Sequence, residues 1–148
     1  MKIKVNRLHP DAIMPKFAHS TDSGFDLFSC EYTEIAPKSK EIVKTGLAVQ
    51  LPRGYGIAIR NKSGVTVKGV DGIDVTVFLG TVDNGYTGEL GIMVRNETDK
   101  LLRIPKHFKL AQGVLEKIYT CEFEEVDELW ETERGSNGYG STGVTANE

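Results

Sequence analysis

The chain has 148 residues, 39% hydrophobic and 26% charged, which suits a single globular domain long enough to bury a real core. Its formal net charge of −3 leaves no large basic field for a nucleic-acid backbone, although a free nucleotide needs only a few local cations. No apolar run approaches the ~20 residues a spanning helix requires, so neither nucleic acid nor membrane is expected as a partner.

Met1-Lys-Ile-Lys-Val lacks the apolar block and cleavage site of a signal peptide, and a cytoplasmic protein is expected. Lys2–Asn6 alternates and reads as a short strand. Pro10 and Pro15 make His9–Ala18 an irregular crossing segment. In Phe25-Asp26-Leu27-Phe28, Asp26 faces away from its apolar neighbours and is most simply a solvated outer residue. Ile42–Leu51 and Tyr55–Arg60 flank the turn signal Pro52-Arg53-Gly54 and are expected to pair as a hairpin. One short helical turn is predicted at Gly64–Lys68, after the polar breaker Asn61-Lys62-Ser63-Gly64. Leu101–Ile104 and Leu110–Ile118 supply two more strands. Cys30 and Cys121 have no metal spacing and are expected to be buried or inert thiols, a disulfide between them remaining open. His9, His19 and His107 fall in unrelated loop-like contexts, more often surface than catalytic. Short strands with turn signals every ten or so residues predict an all-β sandwich or jelly roll.

The stretch Gly80–Gly88 reads Gly-Thr-Val-Asp-Asn-Gly-Tyr-Thr-Gly, with apolar residues before it and Leu90, Ile92 and Val94 at alternate positions after it. It is expected to be a strand, a tight turn at Asn84-Gly85 and a second strand, with Asp83 and Tyr86 held at the turn. The plainer reading is an Asx turn in which Asp83 bonds only nearby amides. Gln112 interrupts an otherwise apolar strand and must find partners, from water or from a ligand.

Composition shifts after Val126, which divides a core, 1–126, from an arm, 127–148. Asp127–Glu133 is acidic around the only tryptophan, Trp130, and Arg134–Gly143 follows with four of the chain's 16 glycines. Most glycine-rich ends are frayed termini. This one carries an Arg at its head, hydroxyls and flexible amides suited to a phosphate chain, and an aromatic face for a base in Tyr139. A carboxylate, scattered phosphate-holding groups and a stacking aromatic suit metal-assisted attack of water on a phosphoanhydride.

Five clusters occur in the order and spacing of trimeric dUTP pyrophosphatases: Ser23-Gly-Phe-Asp26-Leu27, Lys62-Ser-Gly-Val-Thr-Val-Lys68-Gly69, Gly80–Gly88, Lys109-Leu-Ala-Gln112 and Arg134–Gly143. The chain resembles that family over nearly its whole length. The resemblance implies a dUTPase-like, β-clip jelly-roll homotrimer in which one subunit's C-terminal arm closes over a site formed by two others. It implies hydrolysis of dUTP to dUMP and pyrophosphate, limiting uracil in DNA and supplying dUMP for thymidylate synthesis. Asp83 would orient the attacking water. Tyr86 would pack against the deoxyribose and exclude a 2′-hydroxyl, while Gly80, Thr81 and Val82 read uracil through the main chain. Ser63, Gly64 and Lys62 would hold phosphates, with Gln112 beside the α-phosphate. Arg134, Ser141 and Thr142 would grip the γ-phosphate, Gly138 and Gly140 lending mobile amides, and Tyr139 would stack on the base. Mg²⁺ would rest chiefly on the phosphates, with Asp26 reaching it through water.

Three positions depart from the family pattern: Lys62 stands where Arg is usual, Gly113 replaces an apolar residue, and Tyr139 replaces the commoner Phe. Arg60 is a candidate to make up the lost guanidinium if it projects the same way as Lys62. The rival reading is dCTP deaminase of the same fold, which has a catalytic Glu where this chain has Met93. A third is a dUTPase-like trimer that also binds a regulatory protein.

Overall fold

A computed structural model describes residues 1–138. The elements are β1 (Lys4–Arg7), β2 (Phe25–Phe28), β3 (Thr33–Ile35), β4 (Lys40–Gln50), β5 (Tyr55–Asn61), α1 (Ser63–Lys68), β6 (Val75–Val77), β7 (Gly80–Val82), β8 (Glu89–Asn96), β9 (Leu102–Ile104) and β10 (Lys109–Lys117). Two 4-stranded sheets, ordered β1-β4-β8-β6 and β2-β10-β5-β7, face each other, and β3-β9 forms a separate ribbon. The architecture is the expected all-β jelly roll. The last strand ends at Lys117, and residues 118–138 carry neither strand nor helix.

Most strand positions that are apolar turn inward, Ile42 of β4 and Met93 of β8 being exposed exceptions. Leu27, Ile35, Leu47, Ile57, Leu90, Ile92, Leu102, Ile104 and Leu110 are fully buried, each contributing about 2 kcal/mol by leaving water. Cys30 is buried within the fold, where burial pushes its thiol up, and Cys121 is exposed; both are free thiols.

Neither predicted hairpin forms. β4 pairs with β1 and β8, whereas β5 pairs with β10 and β7, so Pro52-Arg53-Gly54 carries the chain from one sheet to the other. Asn84-Gly85 does form a tight turn, with the Tyr86 amide donating to Asp83 O at 3.0 Å. Neither residue has positive φ, however, and a two-residue hairpin needs the mirror-image turn that positive φ supplies. The strands on either side therefore diverge: β7 joins β5, and β8 joins β4 and β6.

The departure at Gly113 has a packing cause. A Cβ built there would lie 2.3 Å from Phe25 Cε2 and 3.2 Å from Ile57 Cγ2. The Phe25 ring occupies the space a larger side chain would fill, and it meets Phe17 edge-on at 5.8 Å. Gly113→Val is expected to cost about 2 kcal/mol through overpacking, read as a lower urea midpoint, and Phe25→Leu in the same chain should recover most of the loss.

Candidate active site

The sequence-predicted residues gather in two places. The first is a cavity of about 310 Å³ lined by Gly80, Thr81, Val82, Asp83 and Tyr86 together with Ile42, Ile59, Glu89, Leu90, Gly91 and Met93. The turn that carries Asp83 is fixed from outside: Asn84 Nδ2 donates to Leu51 O at 3.1 Å and to Pro52 O at 2.6 Å. The Asp83 side chain is exposed and accepts no hydrogen bond among the described residues, which disposes of the Asx-turn reading.

Tyr86 folds back over its own chain, and its hydroxyl donates to Glu89 O at 2.9 Å. Only glycine fits beneath the ring, since a Cβ at Gly88 would stand 2.6 Å from the Tyr86 hydroxyl oxygen. Glu89 in turn accepts from the Gly46 amide at 2.8 Å, tying the end of the turn to β4. The aromatic wall of the cavity is thus held by backbone and not by a loose loop. Met93, where the rival enzyme has its acid, lines the same cavity with a thioether.

The second cluster lies at the far end of β5, around Asp26. This residue is 4% exposed and is not the solvated outer residue expected. Every residue of β2 is buried, because the crossing segment covers its open edge: the Asp26 amide donates to Lys16 O at 2.8 Å. Lys62 Nζ hydrogen-bonds Asp26 Oδ1, and Lys109 Nζ stands 3.0 Å from Oδ2. Oδ2 is nonetheless buried without a well-directed hydrogen bond. Burial pushes the carboxyl up, but the two ammonium groups outweigh it and hold the pKa below its ordinary value.

Ser63 and Gly64 follow Lys62 at the start of α1 and are exposed. Asn61 Nδ2 bonds Thr66 Oγ1 at 2.6 Å and Thr66 Oγ1 bonds Lys62 O at 3.1 Å, which locks the helix to the strand before it. Gln112 is half-buried opposite both Asp26 and Arg60, and its Nε2 donates to Asn61 O at 3.3 Å. Arg60 does not join the cluster, since it pairs with Glu116. Sequence reasoning placed Lys109 in the Lys109-Leu-Ala-Gln112 cluster but gave it no role, because its pairing with Asp26 depends on a strand far away in sequence.

The two groups do not meet within one chain. Ile57 pairs with Val82 while Asn61 pairs with Ala111, so the turn and the Asp26 cluster sit at opposite ends of β5. At about 3.3 Å per residue, the four steps from Ile57 to Asn61 separate the two pairings by ~13 Å. Arg134 and Gly138 lie on the arm, where Arg134 Nε donates to Asn137 O at 3.0 Å and the Gly135 amide to Thr132 Oγ1 at 3.0 Å, both local bonds. Trp130 on that arm is 89% exposed, as is Phe123, at 96%, in the stretch leading into it. Tyr139, Gly140, Ser141 and Thr142 lie outside the described residues. None of the three histidines lines the cavity.

The dUTPase family pattern matches residues 10–143. The deoxyuridine 5′-triphosphate nucleotidohydrolase of Gloeothece citriformis is 43% identical over 99% of this chain and 99% of its own. That of Helicobacter pylori is 41% identical over 98% and 99%. A dUTPase of Staphylococcus bacteriophage 80alpha, solved as a mutant with dUpNHpp, superposes with a TM-score of 0.88 at 31% identity, covering 97% of this chain and 99% of its own. A mutant dUTPase from phage phi11 of S. aureus, described with a coordinated structural Mg(II) ion, gives 0.79 at 30% identity over 86% and 98%.

The buried ion group makes stability depend on acid. Because the folded pKa of Asp26 is lowered, its contribution is complete above the ordinary carboxylate pKa of about 4 and is lost as pH falls through the lowered value. Asp26→Asn is expected to be about 2 kcal/mol less stable than the parent at pH 7, with the gap closing in acid, as urea midpoints between pH 7 and pH 2 will show.

Proposed function

We propose how catalysis is arranged from one premise: the chain belongs to the dUTPase family and is a dUTP diphosphatase. The observation that carries the arrangement is the separation of Asp83 from Ser63 and Gln112 along β5. Asp83 and Gln112, both assigned to the α-phosphate, lie too far apart along β5 to meet at one phosphorus within a single protomer. The reading supported is a homotrimer in which the Asp83–Tyr86 cavity of one protomer faces the Lys62–Ser63–Gln112 edge of a second. The arm of a third closes the site with Arg134, Gly138, Tyr139, Gly140, Ser141 and Thr142. The exposed apolar residues Leu129 and Trp130 of the arm, with Phe123 and Val126 just before it, support that reading, because large apolar groups seek cover.

In this arrangement uracil meets the main chain of Gly80–Val82, and the Tyr86 ring fills the space a 2′-hydroxyl needs. Asp83, whose carboxyl has no other partner among the described residues, accepts a hydrogen bond from water and aims it at the α-phosphorus. The water oxygen bonds to phosphorus, the bridge to the β-phosphate breaks, and a proton passes to Asp83 as pyrophosphate leaves. Ser63, Gly64 and Gln112 donate to phosphate oxygens, and the charges of Lys62 and Arg134 offset the negative charge that develops on the leaving group. Closure by the arm removes bulk water from the pocket.

The described residues hold no group of three or more metal-ligating side chains. Asp26 is a single carboxylate already shared by two lysines. That donor set fits a magnesium ion carried mainly by the substrate's phosphates and reached by Asp26 through water, the usual way this ion is bound beside a polyphosphate. Such an ion supplies electrostatic stabilisation to the phosphates.

Asp83→Asn is expected to lose turnover by a factor of about 10³ while retaining dUpNHpp binding. Ser63→Ala should also be impaired. Co-refolding the two variants in equal amounts should return activity approaching about a quarter of that set by Ser63 and Asp83 both intact, since random pairing joins complementary protomers at that frequency. No recovery on mixing would place both residues in one protomer's site and end the shared-site reading. Tyr86→Ala should raise kcat/KM for UTP relative to dUTP by about tenfold or more, measured as pyrophosphate release.

A further inference from the structure

We propose that Lys109 is a positioning residue, a reserve counter-ion for Asp26 that frees the Lys62 ammonium to engage the polyphosphate. The inference rests on the reading of Lys62, Ser63 and Gln112 as the phosphate-binding edge.

Asp26 is buried and its carboxylate is met by two lysines from different parts of the chain, with the backbone of a third, Lys16, beside it. Lys62 takes Oδ1, Lys109 approaches Oδ2 at 3.0 Å, and Lys16 shares the Phe28 ring with Lys109, their ammonium groups 5.8 and 5.9 Å from its centroid. A buried carboxylate with one cation cannot release it, because the uncompensated charge left behind is strongly destabilising. With two cations, one is free to leave.

Lys62 is the one placed to do so. It immediately precedes Ser63 and Gly64, whereas Lys109 is held on the β2 side by the face of Phe28. The side-chain chemistry makes the reserve necessary. An arginine at position 62 could grip the carboxylate and a phosphate at once with its five donors in a fork. A lysine ammonium is a point charge on a flexible stem and must turn from one anion toward the other. Lys109 neutralises Asp26 while it does. The unsatisfied geometry at Oδ2 fits a partner poised to tighten when Lys62 departs.

The test is equilibrium binding of dUMP and dUpNHpp in the presence of a chelator, so that no metal contributes, with a thermal melt of each variant. Lys109→Met is expected to weaken dUpNHpp by about tenfold, the worth of one charge-assisted contact, and to leave dUMP unchanged. Lys109→Arg should bind as the parent does. Adding Asp26→Asn to Lys109→Met removes the buried charge that needs compensation, so the double variant should fold and recover dUpNHpp affinity to within about threefold of the parent. A double variant as weak as Lys109→Met would mean that Lys109 touches phosphate directly, which overturns the reserve role. So would an equal loss for both ligands, or no loss at all. If Lys62→Met leaves dUpNHpp affinity intact, the phosphate-edge reading itself falls, a failure distinct from that of Lys109.

Discussion

A β-strand cannot bring its own ends together, and β5 imposes that constraint on everything around it. Its 7 residues pair on one side with β7 and on the other with β10, and each pairing converts sequence distance into a fixed position. Pairing with β7 delivers Asp83 and Tyr86 to one end. Pairing with β10, and through it with β2, delivers Gln112, Asp26 and Lys109 to the other. The stiffness of the strand holds each of the two clusters in place and keeps them apart.

The sequence was legible where the physics is local. Apolar patterning located most of the strands, though not β3, and Asn61–Gly64 marked the start of α1, because side-chain periodicity and backbone propensity act over a few residues. It was not legible where the outcome depends on a distant neighbour. Pro52-Arg53-Gly54 and Asn84-Gly85 both signal a reversal, yet neither says which strand the chain will next lie beside. At Asn84 the decision comes from side-chain bonds to Leu51 and Pro52, residues more than thirty positions earlier. A turn anchored there points β8 toward the opposite sheet.

Alternation failed at Asp26 for a related reason. A two-residue period assigns each side chain to one face and takes the second face to be water. The crossing segment at Lys16 and the lysines of α1's approach and of β10 cover that second face, so both sides of β2 are interior. Gly113 is the complementary case. Its departure from the family pattern looks neutral in sequence and becomes intelligible only beside the Phe25 ring.

Two buried polar side chains show how structural and functional burial differ. Asn96, fully buried at the end of β8, donates to Ile35 O, Ala36 O and Lys100 O and accepts from the Thr98 amide and hydroxyl. Each of its polar atoms is satisfied, and the group joins β3, β8 and the turn before β9 with nothing left over. Asp26 is nearly as deeply enclosed, but one oxygen has no well-directed partner among the described residues, and of its two cations Lys109 is half exposed while Lys62 is mostly covered. A network that saturates every atom holds one arrangement. A network that keeps a surplus cation and an unfilled acceptor has a second arrangement within reach, which is the freedom the proposed phosphate-binding edge requires.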